Sequence, residues 1–336
     1  GSIYGGCDAD EINLLGGSVV HVDGGDGNDT IILAGANVTG TTTLMGGAGN
    51  DIIDLDSGTV INVDAGDGDD TITLTAADVS GMIQGGLGSD TLTIAATADL
   101  SNTTLLDGGD NISALDGMID TLTLTNRTTS IAGSAIVNWE NININGGSLT
   151  ITDGMLSVGS DSGTGLILTN GGLLHTGANF TLTGDLANNG IINMRNSAAV
   201  DRTIINGNYS GNGQLQLDVD FATATADTLV INGNVTGGTT TISVTDISSG
   251  ATTGNEVLVI NVTGATSSNN FALAGGEVVG GAYTYALSLE GNSWYLQQQE
   301  LLAQTDGYRL LTSIYDHSID TLHQRVGHRE ELYDGT

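Results

Sequence analysis

Residues 24–33 read GGDGNDTIIL, and four other stretches repeat this pattern: GGCDADEINL from Gly5, GGAGNDIIDL from Gly46, AGDGDDTITL from Ala65 and GGLGSDTLTI from Gly85. The starting positions are 19, 22, 19 and 20 residues apart. A repeat of that length corresponds to one coil of a β-solenoid, in which each coil stacks on the one before it. The repeat therefore predicts the architecture before any single residue is considered.

Apolar and polar residues alternate after the aspartate of each copy, which is typical of a strand with one buried face. The residues two and four positions after the aspartate are aliphatic: Ile12, Ile31, Ile53, Ile72 and Leu92 in the first set, and Leu14, Leu33, Leu55, Leu74 and Ile94 in the second. Stacked at about 4.8 Å per coil, each set forms one aliphatic column. We expect an all-β fold, a single right-handed parallel β-helix.

The glycine-rich turns fade along the chain, but short strands between Asn and Gly turns continue. The absence of Pro fits this pattern, because each Pro would remove one N–H from a strand ladder. We therefore expect β-helix coils with GGxGxD-type turns over residues 3–125, and a continuation of the same solenoid over residues 126–255.

The charge of the chain limits its partners. Its 336 residues include 39 acidic residues and only six Lys and Arg, which gives a formal net charge of −33. Such a surface repels nucleic acid and anionic membranes, so we expect no nucleic-acid binding and no direct membrane insertion. It attracts cations or basic protein surfaces instead. Solubility, with protection of exposed strands from aggregation, is the alternative explanation of the charge.

The glycine-aspartate turns suggest a metal site. The pattern GGxGxDxUx, with U a large aliphatic residue, resembles the nonapeptide of repeats-in-toxin proteins, whose loops bind Ca²⁺. The matching candidate calcium ligands are Asp29, Asp51, Asp70 and Asp90, with Asp26 and Asp67 at the third position of the motif. Stacked carboxylates about 5 Å apart repel by about 3 kcal/mol per pair at a dielectric constant of about 20, and a cation would relieve this repulsion.

The chain also departs from that pattern. It has one nonapeptide per coil where the toxin repeat has two, the steps between copies vary, and the copy at Ala65 lacks its first Gly. The alternative is that each aspartate caps its own turn by accepting backbone N–H groups. Both readings stay open at the level of the sequence.

The C-terminal hundred residues carry a second resemblance. Aromatic residues concentrate in GAYTYAL, from Gly281, and NSWYL, from Asn292. This order is similar to the C-terminal junction of pertactin-like autotransporter passengers, where a β cap closes the β-helix. The resemblance implies a cap over residues 256–300 that acts as an autochaperone, folding first and templating the coils. Its sealing residues in this chain are Tyr283, Tyr285, Trp294 and Tyr295.

Beyond the cap, the apolar residues change to helical spacing; they are Leu311, Tyr315, Ile319, Leu322 and Val326. By the same resemblance, residues 306–332 form a short linker helix. It leads to the protein's own membrane β-barrel translocator, which lies outside this chain.

The resemblance also implies a function and a location. Passengers of this family are exported by Gram-negative bacteria through the periplasm and outer membrane, and are then secreted or displayed at the cell surface. We expect a virulence-associated adhesin that binds host cells. The alternative is a released passenger that acts as a soluble ligand of a host cell-surface receptor. In either case the partner is a host cell-surface protein.

We do not expect an enzyme. The nearest approach to a nucleophile motif is Ser160-Asp161-Ser162-Gly163, which lacks the surroundings of a catalytic serine. His21 and His175 are isolated in the sequence, and the basic residues of the solenoid are scattered.

Overall fold

The computed structural model describes residues 1–39 and 43–301. In this part of the chain the regular structure is β-strand, apart from two 3₁₀ turns at Ala114–Asp116 and Gly133–Ala135. The first sixteen strands are β1 (Ser2–Cys7), β2 (Glu11–Leu14), β3 (Ser18–Val19), β4 (His21–Asp26), β5 (Thr30–Val38), β6 (Leu44–Ala48), β7 (Ile52–Val60), β8 (Val63–Asp67), β9 (Thr71–Leu74), β10 (Asp78–Val79), β11 (Met82–Leu87), β12 (Thr91–Ile94), β13 (Leu105–Gly109), β14 (Thr121–Thr125), β15 (Thr128–Ile131) and β16 (Ile136–Val137).

The second half of the chain continues with shorter strands. These are β17 (Asn141–Asn145), β18 (Ser148–Ile151), β19 (Met155–Ser157), β20 (Gly165–Thr169), β21 (Leu173–His175), β22 (Phe180–Thr183), β23 (Leu186–Asn188), β24 (Ile191–Asn193), β25 (Arg202–Asn206), β26 (Tyr209–Ser210), β27 (Gln214–Asp220), β28 (Thr225–Ala226), β29 (Thr228–Ile231), β30 (Val235–Gly237), β31 (Thr240–Asp246), β32 (Val257–Val262), β33 (Phe271–Leu273), β34 (Glu277–Gly280), β35 (Tyr283–Glu290) and β36 (Ser293–Leu301).

One long parallel sheet runs through the solenoid, and we call it the spine sheet. Its strand order is β2-β5-β7-β9-β12-β14-β17-β20-β23-β26-β30, with β3 and β10 pairing beside this path. Neighbouring strands come from successive coils, so each coil hydrogen-bonds to the coils on either side of it. The spine sheet therefore gives the molecule a single continuous stack.

The cross-section of the solenoid changes part of the way along. In the first coils, a seven-stranded sheet (β1-β4-β6-β8-β11-β13-β16) faces the spine sheet. In the later coils, two eight-stranded sheets replace it. Their strand orders are β15-β18-β21-β24-β27-β31-β33, with β28 pairing beside β27, and β19-β22-β25-β29-β32-β36-β35-β34. A two-sided coil thus becomes a three-sided coil between β14 and β19. We call this region the junction.

The aliphatic columns predicted from the repeat form the core. In the spine sheet Ile31 lies opposite Ile53, and Ile53 lies opposite Ile72. These side chains are fully buried or nearly so, and the second column behaves in the same way. Each such side chain contributes about 1.5–3 kcal/mol through burial. Ile52, which precedes the first column residue Ile53, points outward and is 44% exposed.

In every copy of the motif that stacks on a preceding one, the second glycine is required by the stacking itself. Gly86 has φ of +124°, and a Cβ there would lie 1.9 Å from the carbonyl oxygen of Gly66 in the preceding coil. Any other residue at this position would collide with backbone. The first glycine of the motif is less constrained, since the third full copy has the buried Ala65 in its place.

The C-terminal end of the stack is closed by an antiparallel sheet. β32 pairs with β36, β36 with β35, and β35 with β34. Tyr285 and Trp294 are buried beneath this cap. Tyr285 stacks on Phe221 with ring centroids 4.3 Å apart, and Trp294 meets Phe271 edge-on at 5.4 Å.

The prediction of a parallel β-helix with a C-terminal β cap is confirmed. The predicted helix over residues 306–332 lies outside the described residues, and the domain boundaries stay a prediction. Within residues 1–39 and 43–301, no helix has the length and apolar character needed to cross a membrane.

The cap gives a test of the autochaperone prediction. Trp294→Ala should slow refolding of the whole solenoid from urea, followed by far-ultraviolet circular dichroism, because it weakens the segment on which the coils assemble. Leu33→Ala is the control. A buried Leu→Ala change lowers the free energy of unfolding by about 2–5 kcal/mol, which is similar to the cost of removing a buried Trp side chain. We expect it to speed unfolding and leave the refolding rate nearly unchanged. Equal slowing by both variants would contradict the prediction.

Candidate functional site

The predicted calcium ligands lie on two different faces of the solenoid. Asp26 and Asp67 lie at the ends of β4 and β8, and both are exposed on the outer face. The four aspartates at the sixth position of the motif lie inside, each only 1% exposed: Asp29, Asp51, Asp70 and Asp90. The structure thus stacks these four into one column, as expected, and separates the other two from it.

A continuous set of hydrogen bonds joins the inner carboxylates, and we call it the carboxyl ladder. In each step, Oδ1 of one aspartate accepts the backbone N–H of the corresponding aspartate in the preceding coil. The N···O distances are 2.7 Å from Asp10 to Asp29, from Asp29 to Asp51, from Asp51 to Asp70 and from Asp90 to Asp120, and 2.8 Å from Asp70 to Asp90. The ladder ends where the Asp120 N–H donates to Oε2 of Glu140, at 2.7 Å.

The ladder is a form of capping, but it differs from the turn capping considered for the sequence. Each carboxylate caps the coil before its own, because in-register stacking places that coil's N–H within its reach. Sequence analysis did not include Asp120 or Glu140 among the site residues. The signal was present, since Glu140 is followed by Ile142 and Ile144 at the same spacing as in the repeats.

The second oxygen of each ladder carboxylate is buried without a donor in the described structure. These atoms are Oδ2 of Asp29, Asp51, Asp70, Asp90 and Asp120, and Oε1 of Glu140. A Cβ built on Gly24 would lie 2.3 Å from Asp29 Oδ2 and 2.4 Å from the carbonyl oxygen of Gly46, so both oxygens border the same small space. A buried oxygen without a donor leaves an ionised carboxylate poorly satisfied, whereas a protonated carboxyl supplies a donor of its own.

Five ladder carboxyls have raised pKa values: Asp51, Asp70, Asp90, Asp120 and Glu140. Burial is the largest cause, and it raises the pKa of Asp70 to about 7, that of Asp90 to about 8 and that of Asp120 to about 7. The ladder hydrogen bonds act in the opposite direction, while neighbouring carboxylates raise the pKa further. These groups therefore hold protons at a pH where an exposed aspartate is ionised.

The inner column offers few oxygens to a calcium ion. Ca²⁺ takes about six to eight oxygen ligands at about 2.3–2.6 Å. Each Oδ1 already accepts an N–H, which leaves one carboxylate oxygen and one carbonyl oxygen beside each first glycine. Within residues 1–39 and 43–301, no group of three or more His, Cys, Asp or Glu is arranged to hold a metal ion. The inner aspartates do not fit such a site, and calcium binding by this chain stays a prediction.

On the outer face of the seven-stranded sheet, acidic and uncharged side chains alternate from coil to coil. Successive coils present Asp23 and Asp26, then Met45 and Ala48, then Asp64 and Asp67, then Gln84 and Leu87. Acidic coils are thereby separated by neutral ones, at about 10 Å, which is near the screening length in physiological salt. They line a shallow groove of about 580 Å³. Burial and the Asp67 charge raise the pKa of Asp64.

The residues considered for catalysis are engaged in structural contacts. Asp161 accepts hydrogen bonds from the Ser113 hydroxyl at 3.2 Å and from the Ala114 N–H at 3.0 Å, so its turn holds the loop before β14. The His21 ring packs on Tyr4, with ring centroids 5.4 Å apart. His175 contacts the Asn193 side-chain amide at 3.4 Å.

The carboxyl ladder predicts an unusual pH dependence. Aspartates titrate near pH 4 when unfolded, so between about pH 4 and pH 8 the native ladder keeps protons that the unfolded chain releases. The free energy of unfolding then falls as pH rises, by about 1.4 kcal/mol per pH unit for each such proton. Asp90→Asn removes one titrating group and should reduce this slope in thermal melts between about pH 5 and pH 9.

Asp56→Asn is the matched control for this measurement, because Asp56 is exposed and lies outside the ladder. Asp56→Asn makes the same change in net charge as Asp90→Asn. It should retain the wild-type dependence of the free energy of unfolding on pH. Equal slopes for the two variants would rule out a protonated ladder. A calcium-dependent rise in Tm that Asp90→Asn abolishes would instead support the metal site.

Three comparisons place the chain among known proteins. The Pertactin family model matches residues 179–298. Over 226 residues the chain is 32% identical to "Probable autotransporter YfaL" of Escherichia coli (strain K12), covering 63% of this chain and 17% of that protein. The crystal structure of the Haemophilus influenzae Hap adhesin aligns with a TM-score of 0.44 and 18% identity, over 87% of this chain and 33% of that one.

The family match falls on the later three-sided coils and the cap, and YfaL is itself described as an autotransporter. The chain spans about a sixth of the length of that relative. The resemblance predicted from the C-terminal motifs is confirmed for residues 179–298 of the β-solenoid, which match the Pertactin family model.

Proposed function

We propose that this chain is the surface-displayed part of an autotransporter and acts as a non-catalytic adhesin towards host cells. The observation that carries this proposal is the surface of the solenoid. It consists of stacked coils bordered by open, shallow grooves, with ridges of acidic side chains on one wall. Repetitive surfaces of this kind suit contact with other proteins better than they suit conversion of a small molecule.

A second open groove, of about 670 Å³, supports a binding role over a catalytic one. It is bordered by Asp153 and His175. Partial burial acts to raise the pKa of Asp153, but the N–H groups of Ser134 and Gly133 outweigh it and lower that pKa to about 2. Asp153 is thereby committed to holding the backbone and is a poor proton acceptor near neutral pH.

The match to the Pertactin family and to an autotransporter supports export across the outer membrane to the surface of a Gram-negative cell. On this proposal the translocator is a membrane β-barrel of the same protein, and the external partner is a host cell-surface protein. The net charge of −33 favours a partner with a basic surface. The alternative, a released passenger that signals through a host receptor, would use the same surface as a soluble monomer.

The two functions differ in valency, because an adhesin acts through many copies on one surface, whereas a soluble ligand acts as a monomer. Beads coated with the purified chain should adhere to cultured epithelial cells, and excess soluble chain should block their adhesion without inducing receptor phosphorylation. Beads coated with heat-unfolded chain carry the same net charge and control for electrostatic attraction. Adhesion equal to that control would refute the adhesin proposal. Receptor phosphorylation by low concentrations of soluble chain would favour the signalling alternative.

A further inference from the structure

The junction leaves an opening in the wall of the solenoid. β16 is the last strand of the seven-stranded sheet and pairs with β13, while β19 is the first strand of an eight-stranded sheet and pairs with β22. The facing edges of β16 and β19 therefore belong to different sheets. Between them lies a cavity of about 410 Å³, which we call the junction groove.

The junction groove is mainly apolar. Its walls include Ile136 and Val137 from β16, Met155 and Leu156 from β19, and Ile112 from the loop before β14. Met155 is 61% exposed, although it belongs to a solenoid whose other apolar side chains are mostly buried.

The adjoining 3₁₀ turn adds further apolar surface beside the groove. Leu115, on that turn, is 86% exposed, and Met118 and Ile119 that follow it are 38% and 41% exposed. Exposed apolar residues concentrated around a cavity are typical of an interaction site rather than of random surface.

Carboxylates surround this apolar surface. The Asn111 amide, in the groove wall, donates to Asp110 and Asp116 at 3.0 and 2.8 Å, and the Asn138 amide donates to Asp107 at 2.8 Å. The Asn111 hydrogen bond lowers the pKa of Asp116, so that carboxylate stays ionised.

Two more carboxylates fix the backbone around the groove. Asp153 accepts the N–H of Gly133 at 2.8 Å, and Asp161 holds the loop at Ser113. None of the residues that line the groove is Lys or Arg. The rim therefore has a negative charge that no basic residue in the groove lining neutralises.

We propose that the junction groove binds an extended, basic segment of a partner protein. An apolar side chain of that segment fills the groove, and Lys or Arg residues on either side of it face the acidic rim. Two strand edges that border the groove favour an extended backbone. The rim repels nucleic acids and anionic lipid headgroups. This inference rests on the proposed function only in assigning such a segment to a host protein.

Synthetic peptides provide a direct test with the full 336-residue chain. The probe is a fluorescein-labelled peptide of alternating lysine and leucine, and its binding is followed by fluorescence anisotropy. A lysine-serine peptide lacks the apolar side chains, and a glutamate-leucine peptide reverses the charge. We expect the lysine-leucine peptide to bind at least about tenfold more tightly than either control.

Variants separate groove binding from general attraction to an acidic surface. Met155→Ser should weaken binding of the lysine-leucine peptide by about tenfold or more, and Ile112→Ser provides a second test if the first variant folds poorly. Val279→Ser is the control, since Val279 is 56% exposed in the cap, and it should leave binding unchanged. Unchanged binding by folded Met155→Ser and Ile112→Ser would overturn the proposal.

Failure of this inference and failure of the proposed function give different results. If beads coated with the chain adhere to cells but Met155→Ser has no effect on peptide binding, the adhesin contacts its partner elsewhere. If the peptide binds through Met155 but beads do not adhere, the groove stands and the adhesin proposal fails.

Discussion

Coils of this solenoid stack in register because the backbone N–H and C=O groups of each coil hydrogen-bond to the coils on either side. Each residue therefore lies beside its counterpart from the next coil, about 4.8 Å away. For aliphatic residues the consequence is favourable, and the columns that contain Ile31 and Leu33 fill the core. For charged residues it is unfavourable, since identical carboxylates must also stack. The carboxyl ladder and the alternating outer face both reduce the repulsion between stacked carboxylates.

The two faces of the wall handle stacked carboxylates in different ways. Inside, burial favours protonated carboxyls, and each ladder member uses one oxygen to bond the neighbouring coil. Outside, acidic coils alternate with neutral ones, so Asp26 and Asp67 are separated by Ala48. Neither arrangement needs a metal ion for charge balance. The resemblance of the turns to calcium-binding repeats thus coexists with a structural explanation of the same aspartates.

Local periodicity was enough to predict the columns, because the alternation around Ile53 or Leu74 is visible within a few residues. The carboxylate that accepts each ladder hydrogen bond could not be predicted in the same way. Its position depends on how the loops between strands accommodate repeat steps of 19 to 22 residues. The residues that pack against the cap could not be predicted for a similar reason, because Phe221, which stacks on Tyr285, is distant from it in the sequence. The junction groove could not be predicted from the sequence either, because it forms only where β16 and β19 are the end strands of two different sheets.

The spine sheet is continuous through the junction even though the strands that face it change from one sheet to two. A coil therefore needs to match only its two neighbours, and nothing farther along the rod depends on how many coils precede it. Tandem duplication of about twenty residues would lengthen the molecule by one rung and leave the cap and groove intact. The length of the solenoid is thus a property that evolution can adjust separately from the structure of its cap and its junction groove.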